Sequence, residues 1–303
     1  MQMSAGRPPS PPPSFDNRAP PWQDARIESF HFENIAKDIA GSEGPIFTLG
    51  GKFHCVAPDR GQVLRLDAGV LVELCNTGGI PAGLQADARD RLWIADMKLG
   101  ILRVDPAGTL TDIVRTFDGA PIRGCNDLAF DSAGNLYFTA PAGSDLDTRV
   151  GEMFCRTRDG RVHRLDRGFA FCNGIAVSAD DRTLIVAETL TKRLYAYDIT
   201  APGVVANRRI FATLTGQHEG GPDGMDFDQA GNLLATNWGG SCIEGFDPAG
   251  KRIEIIETPF DKPSNLHFGG ADGRDMWVTE HTFHGVWKTR WRAAGLVRFP
   301  DVD

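Results

Sequence analysis

The chain has no apolar run near the ~18–20 residues that a membrane-spanning helix needs. Its start lacks a basic segment followed by an apolar one, so no signal peptide is expected. A basic excess is also missing: Lys and Arg total 32 against 40 Asp and Glu, for a formal net charge of −8. Phosphate backbones and anionic membranes require a basic face, so neither nucleic acid nor membrane is expected as a partner. Cysteine is sparse, and the six stand singly at 55, 75, 125, 155, 172 and 242 with no Cys-x-x-Cys pair. In a chain too long to need disulfide staples, that pattern predicts free thiols and a reducing, cytoplasmic location. No His-Glu-x-x-His, phosphate-binding Gly-rich loop or Gly-x-Ser-x-Gly elbow occurs, which removes the zinc, nucleotide and serine-nucleophile chemistries that use them. Nor does any stretch keep a 3.6-residue apolar period long enough to predict a helix.

What is present is repetition. Residues 1–26 form a Pro-rich flexible leader, with Pro8, Pro9, Pro11, Pro12 and Pro13 close together. Residues 27–303, in a chain that is 41% hydrophobic, are expected to fold as one domain. Within them six apolar runs recur, anchored at Phe53, Leu92, Leu136, Leu184, Leu233 and Met276, about 39 to 49 residues apart. Turns such as Ser132-Ala133-Gly134-Asn135 precede most of the runs, and a further strand follows most of them. A period of this length with about four strands per unit is the pattern of propeller blades. The expected fold is therefore all-β: a six-bladed β-propeller of four-stranded antiparallel blades, covering nearly all of residues 35 to 303. A large β-sandwich leaves the regular return of one motif unexplained, and a solenoid would usually carry distinct terminal caps.

Ten or eleven residues before each anchor stand Glu43, Ala82, Asn126, Asn173, Asp223 and Asn265. In a propeller the first strand of each blade lines the central channel, so equivalent positions form a ring. Carboxylate and amide oxygens, without thiolate or imidazole, suit a hard cation such as calcium. Asn-Gly and Asp-Gly are also common turn dipeptides, and at any single position that reading is the stronger. The recurrence at one offset favours the metal. The Asp226–Gly231 stretch has the wrong residues for a helix-loop-helix calcium loop: Ala230 and Asn237 stand where ligands are required.

These residues resemble the calcium-dependent six-bladed propellers of the senescence-marker/gluconolactonase superfamily, most closely its diisopropyl-fluorophosphatase-like members. The resemblance runs from about residue 40 to 292. It is strongest at Gly79–Gly83, Gly124–Asp127, Thr139–Gly143, Asn173–Val177, His218–Gly221, Asp223–Asp228, Pro263–Phe268 and Val278–His281. It implies a catalytic calcium held by Glu43, Asn126, Asn173 and Asp223, and a second, structural calcium held by Asp226, the Leu266 carbonyl and His267. It places Ile80, Met97, Arg149, Phe171, Thr189, Trp238, Ser264, Asn265 and His281 around the substrate. Two departures bear on the pocket rim. The segment Ser144 to Val150 is shorter than its fluorophosphatase counterpart and carries Asp147 for an aromatic residue, and Cys172 replaces a proline before Asn173. The implied activity is calcium-dependent hydrolysis of P–F or phosphoester bonds in a small-molecule substrate by a monomer. A lactonase for a sugar or other small lactone is the alternative, and a non-catalytic, calcium-stabilised interaction propeller is a third.

Overall fold

The computed structural model describes residues 26–28 and 30–302, so the expected leader lies outside the described residues except for its last position. Six four-stranded antiparallel sheets follow one another around a ring, a six-bladed β-propeller. Blades 1 to 5 begin with the inner strands Glu43–Phe47, Pro81–Ala86, Leu128–Phe130, Cys172–Val177 and Pro222–Phe227, and blade 6 begins with Pro263–Gly269. Each inner strand packs against those of its neighbours, and the six together wall a central channel.

Burial explains why the repeat is legible. Second strands such as Leu92–Asp96 and Leu136–Ala140 are buried at every residue, because both sheet faces are covered by adjacent blades. Such strands read as continuous apolar runs rather than alternating ones. The core is accordingly split into inter-blade layers: Trp93, Phe130, Phe138 and Phe154 fill one between blades 2 and 3, and Leu234, Ile256, Phe268 and Met276 fill one between blades 5 and 6. In blades 2, 3 and 5 the hairpin joining first and second strands is closed by an Asp side chain. Asp131 Oδ1 accepts the Asn135 N–H at 2.8 Å, and Asp228 Oδ1 accepts the Asn232 N–H at 2.8 Å. Asp228 is thus a turn cap, which accounts for the Asp-rich stretch that superficially matches a calcium loop.

The blades differ from simple sequential repeats at both ends of the described chain. Blade 6 takes its outermost strand from Glu33–Ala36, paired antiparallel with Gly285–Arg290, so the ring closes by joining distant segments. Arg26–Glu28 adds a parallel fifth strand outside Arg252–Glu257 of blade 5. Residues 291–302, expected within the last blade, instead cross the base of the ring. Leu296 N–H bonds Phe227 O, Arg298 bonds Val177 O and Asp181, and Ala88 N–H bonds Pro300 O. Among the described residues no helix is long and apolar enough to cross a membrane, and all six cysteines are free.

Candidate active site and metal centre

The ring positions sit where the inner strands deform. Pairing to the second strand shifts register between Glu43 and Ile46, Pro81 and Gly83, Cys172 and Ile175, Pro222 and Met225, and Pro263 and Asn265. Such bulges bend a strand and re-aim its side chains. The glycine that follows four of the six ring residues is explained by close approach of the next blade. A Cβ on Gly174 would lie 2.1 Å from Asp223 O, and one on Gly224 would lie 2.0 Å from Asn265 Oδ1. Hydroxyl bonds tie neighbouring blades at the same level. Thr139 Oγ1 donates to Asn173 O at 2.6 Å, Thr189 Oγ1 to Pro222 O at 2.7 Å, and Thr236 Oγ1 to Ser264 O at 3.0 Å.

Glu43, Asn126, Asn173 and Asp223 line the floor of one cleft of about 850 Å³, together with Ala82. Glu43 and Asp223 are both held well above the usual carboxylate range. Burial is the main cause for each; the Asp223 charge adds to it at Glu43, and the Asp127 charge at Asp223. The Asn173 amide bonds Asp223, the one influence that opposes its rise, and Asn173 Nδ2 donates to Thr189 Oγ1 at 3.2 Å. Two buried acids, each raised by burial and by a neighbouring carboxylate and flanked by amides, make a donor set that fits a hard cation, because a cation offsets both burial and repulsion. Among the described residues no three His, Cys, Asp or Glu side chains cluster as a ligand set; this ring reaches four donors only by counting its two amides.

Beneath the floor lies a second cavity of about 50 Å³, lined by Asp127, Asp226, Asn265, Leu266 and His267 and closed below by Leu296 and Arg298. His267 Nε2 is buried without a partner, and Asp226 Oδ2, also buried, has only His267 Nδ1 at 2.9 Å, out of line for a hydrogen bond. Orphaned buried polar atoms are costly, so this pair also fits a cation. Asp127 was not singled out in the sequence. Its side chain occupies the space opposite Gly83, and burial pushes its carboxyl up to about 7. The available signal was Asn126-Asp127 standing where four other blades have glycine second.

Of the expected wall residues, Ile80, Met97, Phe171, Thr189, Trp238 and His281 line the cleft. Trp238 Nε1–H donates to His281 Nδ1 at 3.0 Å, so His281 donates from Nε2 to Gly41 O at 3.1 Å. The ring is held as one neutral tautomer, with burial lowering its pKa. That leaves it a wall residue without a lone pair to offer. Three expected wall residues lie elsewhere. Arg149 borders a separate surface depression, because the buried Glu188 carboxylate binds its guanidinium at 2.6 Å. Ser264 is fully buried behind the floor, where its hydroxyl contacts Glu43 and donates to Ser42 O at 2.9 Å, joining blades 6 and 1. Asn265 faces the lower cavity, where its Oδ1 accepts Leu266 N–H at 2.8 Å. The cleft also holds Asp59, Leu146, Leu190, Lys192, His218, Glu219 and His284; these come from mouth loops whose positions only the folded ring sets.

A family model described as SMP-30/Gluconolactonase/LRE-like region matches residues 42–282. Diisopropyl-fluorophosphatase from Loligo vulgaris is 43% identical over 88% of this chain and 94% of its own length. A gluconolactonase from Zymomonas mobilis is 28% identical over 91% of this chain and 85% of its own. Among solved structures, a calcium-binding protein, regucalcin, from Agrobacterium tumefaciens superposes with a TM-score of 0.78 at 21% identity, covering 92% of this chain and 99% of that one. At that identity the likeness shows the fold alone.

Proposed function

Because the chain belongs to the SMP-30/gluconolactonase/LRE-like family, we propose that its cleft is the active site of a calcium-dependent hydrolase. The reading is of the diisopropyl-fluorophosphatase type, cleaving P–F or phosphoester bonds of neutral organophosphorus compounds. One observation carries it: two buried acids and two amides, Glu43, Asp223, Asn126 and Asn173, floor a largely apolar cleft. These four residues would hold the catalytic ion, and Asp226, His267 and the Leu266 carbonyl a structural one. When bound, the catalytic calcium polarises the phosphoryl or carbonyl oxygen and keeps Asp223 ionised.

The chain's own residues do the rest. Thr189 donates to Pro222 O and accepts from Asn173, which fixes the amide beside Asp223. The Asp223 carboxylate has two roles open to it. As nucleophile it forms a bond to phosphorus, fluoride leaves, and water then hydrolyses the acyl phosphate. As base it takes a proton from the attacking water. Trp238 and His281 brace each other as a neutral wall, the His281 Nδ1 lone pair taken by Trp238 and its Nε2–H by Gly41 O. Single-turnover hydrolysis in ¹⁸O-water, followed by mass spectrometry of the Asp223 peptide, tests the roles: label in the carboxylate supports attack, and unlabelled peptide from turned-over enzyme counts against attack followed by hydrolysis at the Asp223 carbonyl carbon.

A lactonase is the second reading, favoured by the similarity to a protein named gluconolactonase over most of the chain. Fluoride release from diisopropyl fluorophosphate and acid release from small lactones, each with and without calcium, decide between them. Fluoride release well above lactone opening supports the first reading, and the reverse supports the second. Calcium-independent rates on both would overturn the metal-dependent mechanism.

A further inference from the structure

The mouth of the cleft carries apolar side chains that folding leaves uncovered. Leu146 is 57% exposed, Ile80 41% and Leu190 38%, and all three line the cleft. Leu146 sits on an elaboration of blade 3. The second and third strands of that blade are joined by residues 141–150, whereas the same connection elsewhere takes only three or four residues, as in 97–99 or 189–192. The long loop is anchored: Asp145 N–H bonds Thr148 O at 2.9 Å, and Ser144 Oγ accepts the Phe171 N–H at 2.9 Å. Phe171 itself has φ of +65°, a left-handed conformation that a bulky residue rarely adopts. Backbone strain and a loop contact thus both serve to keep an aromatic ring and a leucine beside the mouth. Strain of this kind persists where function uses it.

The polar groups of the cleft are mostly engaged within the protein. His218 Nε2 lies 3.0 Å from Asn237 Oδ1, Lys192 Nζ donates to Gly220 O at 2.7 Å, and His284 Nδ1 accepts the Gly41 N–H at 3.3 Å. A polyhydroxylated substrate needs donors and acceptors around its ring; the free ones left are the exposed Asp59 and Glu219 carboxylates, on the loops of the mouth beside the apolar collar, and the remaining N–H groups of Lys192. We propose that the substrate of this site is an ester or lactone with an extended alkyl or aryl arm, which lies on the collar formed by Ile80, Leu146, Phe171 and Leu190. The proposal rests on the hydrolase reading for its chemistry, while the arm is recognised by surface that takes no part in bond cleavage.

The test is a homologous series on the calcium-loaded enzyme: γ-butyrolactone through γ-nonalactone, with glucono-δ-lactone as the polar comparator. Full burial of a methylene is worth about fourfold in affinity, and a half-covered one about twofold. Five added carbons should therefore raise kcat/KM by about 30-fold, with glucono-δ-lactone poorer than γ-nonalactone. The double substitution Leu146→Ser with Leu190→Ser should cut the nonalactone-to-butyrolactone ratio to about threefold or less, by the same per-methylene figure. Both positions are exposed, so folding is expected to survive. A flat or falling series in the wild type, or an unchanged ratio in the double variant, overturns the proposal. If lactones are inert and p-nitrophenyl dialkyl phosphates are cleaved, the same ratio is read from dimethyl to dibutyl esters. If neither class is cleaved, the hydrolase reading fails, and calorimetry judges the collar alone. Tighter binding of γ-nonalactone than γ-butyrolactone, lost in the double variant, keeps it; equal affinities end it.

Discussion

Gly224→Ala tests whether the inner strands meet as closely as the ring requires. The added Cβ would stand 2.0 Å from Asn265 Oδ1 and 2.7 Å from Asn265 Cα. The amide could rotate away, but the Cα moves only with its strand. Ordinary carbon contacts begin near 3.5 Å, so blades 5 and 6 would have to part by about 1 Å. Overpacking of this kind costs about 1–3 kcal/mol. The separation also strains the Thr236 hydroxyl, whose one hydrogen is shared between Gly224 O at 2.9 Å and Ser264 O at 3.0 Å; losing that shared bond adds about 1 kcal/mol. A total near 3 kcal/mol lowers the melting temperature by about 6 °C in a chain of this size. Gly78→Ala is the control. Gly78 has φ of +72° and nothing within 4 Å of a built Cβ, so backbone strain alone costs about 1 kcal/mol, or about 2 °C. Scanning calorimetry of both variants in calcium compares the two effects. A Gly224→Ala protein that melts no lower than Gly78→Ala would refute the close-approach argument and, with it, the account of why glycine follows the ring residues.

Other consequences are open to direct measurement. Asp223→Ala is expected to reduce hydrolysis by several orders of magnitude, and turnover near the wild-type rate would remove Asp223 from the mechanism. Asp226→Asn should shrink the rise in melting temperature that 1 mM calcium produces over chelator; for a micromolar site that rise reflects about 4 kcal/mol, and an undiminished rise speaks against a cation at Asp226 and His267. His54 is buried, donates from Nδ1 to Lys52 O at 3.1 Å, and has its pKa pushed down to about 4 by burial. The unfolded chain binds the proton first, so stability is present above about pH 6.5 and is lost as pH falls through 4. By pH 4.5 this amounts to about 2–3 kcal/mol. Urea unfolding of His54→Gln at pH 7.5 and 4.5 should show an acid loss smaller by that amount, and an identical loss would clear His54. Burial raises the Cys55, Cys155, Cys172 and Cys242 thiols to about 12, so the folded protein should react slowly with a thiol reagent at pH 8 and yield all six thiols when denatured; rapid labelling of Cys172 would contradict its burial.

The parts of this molecule that were legible in the sequence are those governed by local burial. Second strands such as Leu92–Asp96 are covered on both faces in every blade, so they recur as apolar runs that can be counted. The ring offset was visible because a bulge at the same place precedes the run in five of the six blades. The glycines at that offset were legible as a pattern but not in their cause: Gly174 and Gly224 lie within strands, where the next blade leaves no room for a Cβ. What escaped sequence reading depends on the ring being closed. Glu33–Ala36 pairs with Gly285–Arg290 across most of the chain, and no local composition marks a strand as borrowed. Arg149 turns to Glu188, which the neighbouring blade supplies, and Asn265 faces a lower cavity whose lining, Asp127 among it, is assembled from several blades. Asp127 shows the same limit at the centre of the site. One residue from a ring amide, it fills the gap that Gly83 of the preceding blade leaves, and its charge acts on both Glu43 and Asp223. A linear motif names the amide; the acid behind it is found only once two blades are set side by side.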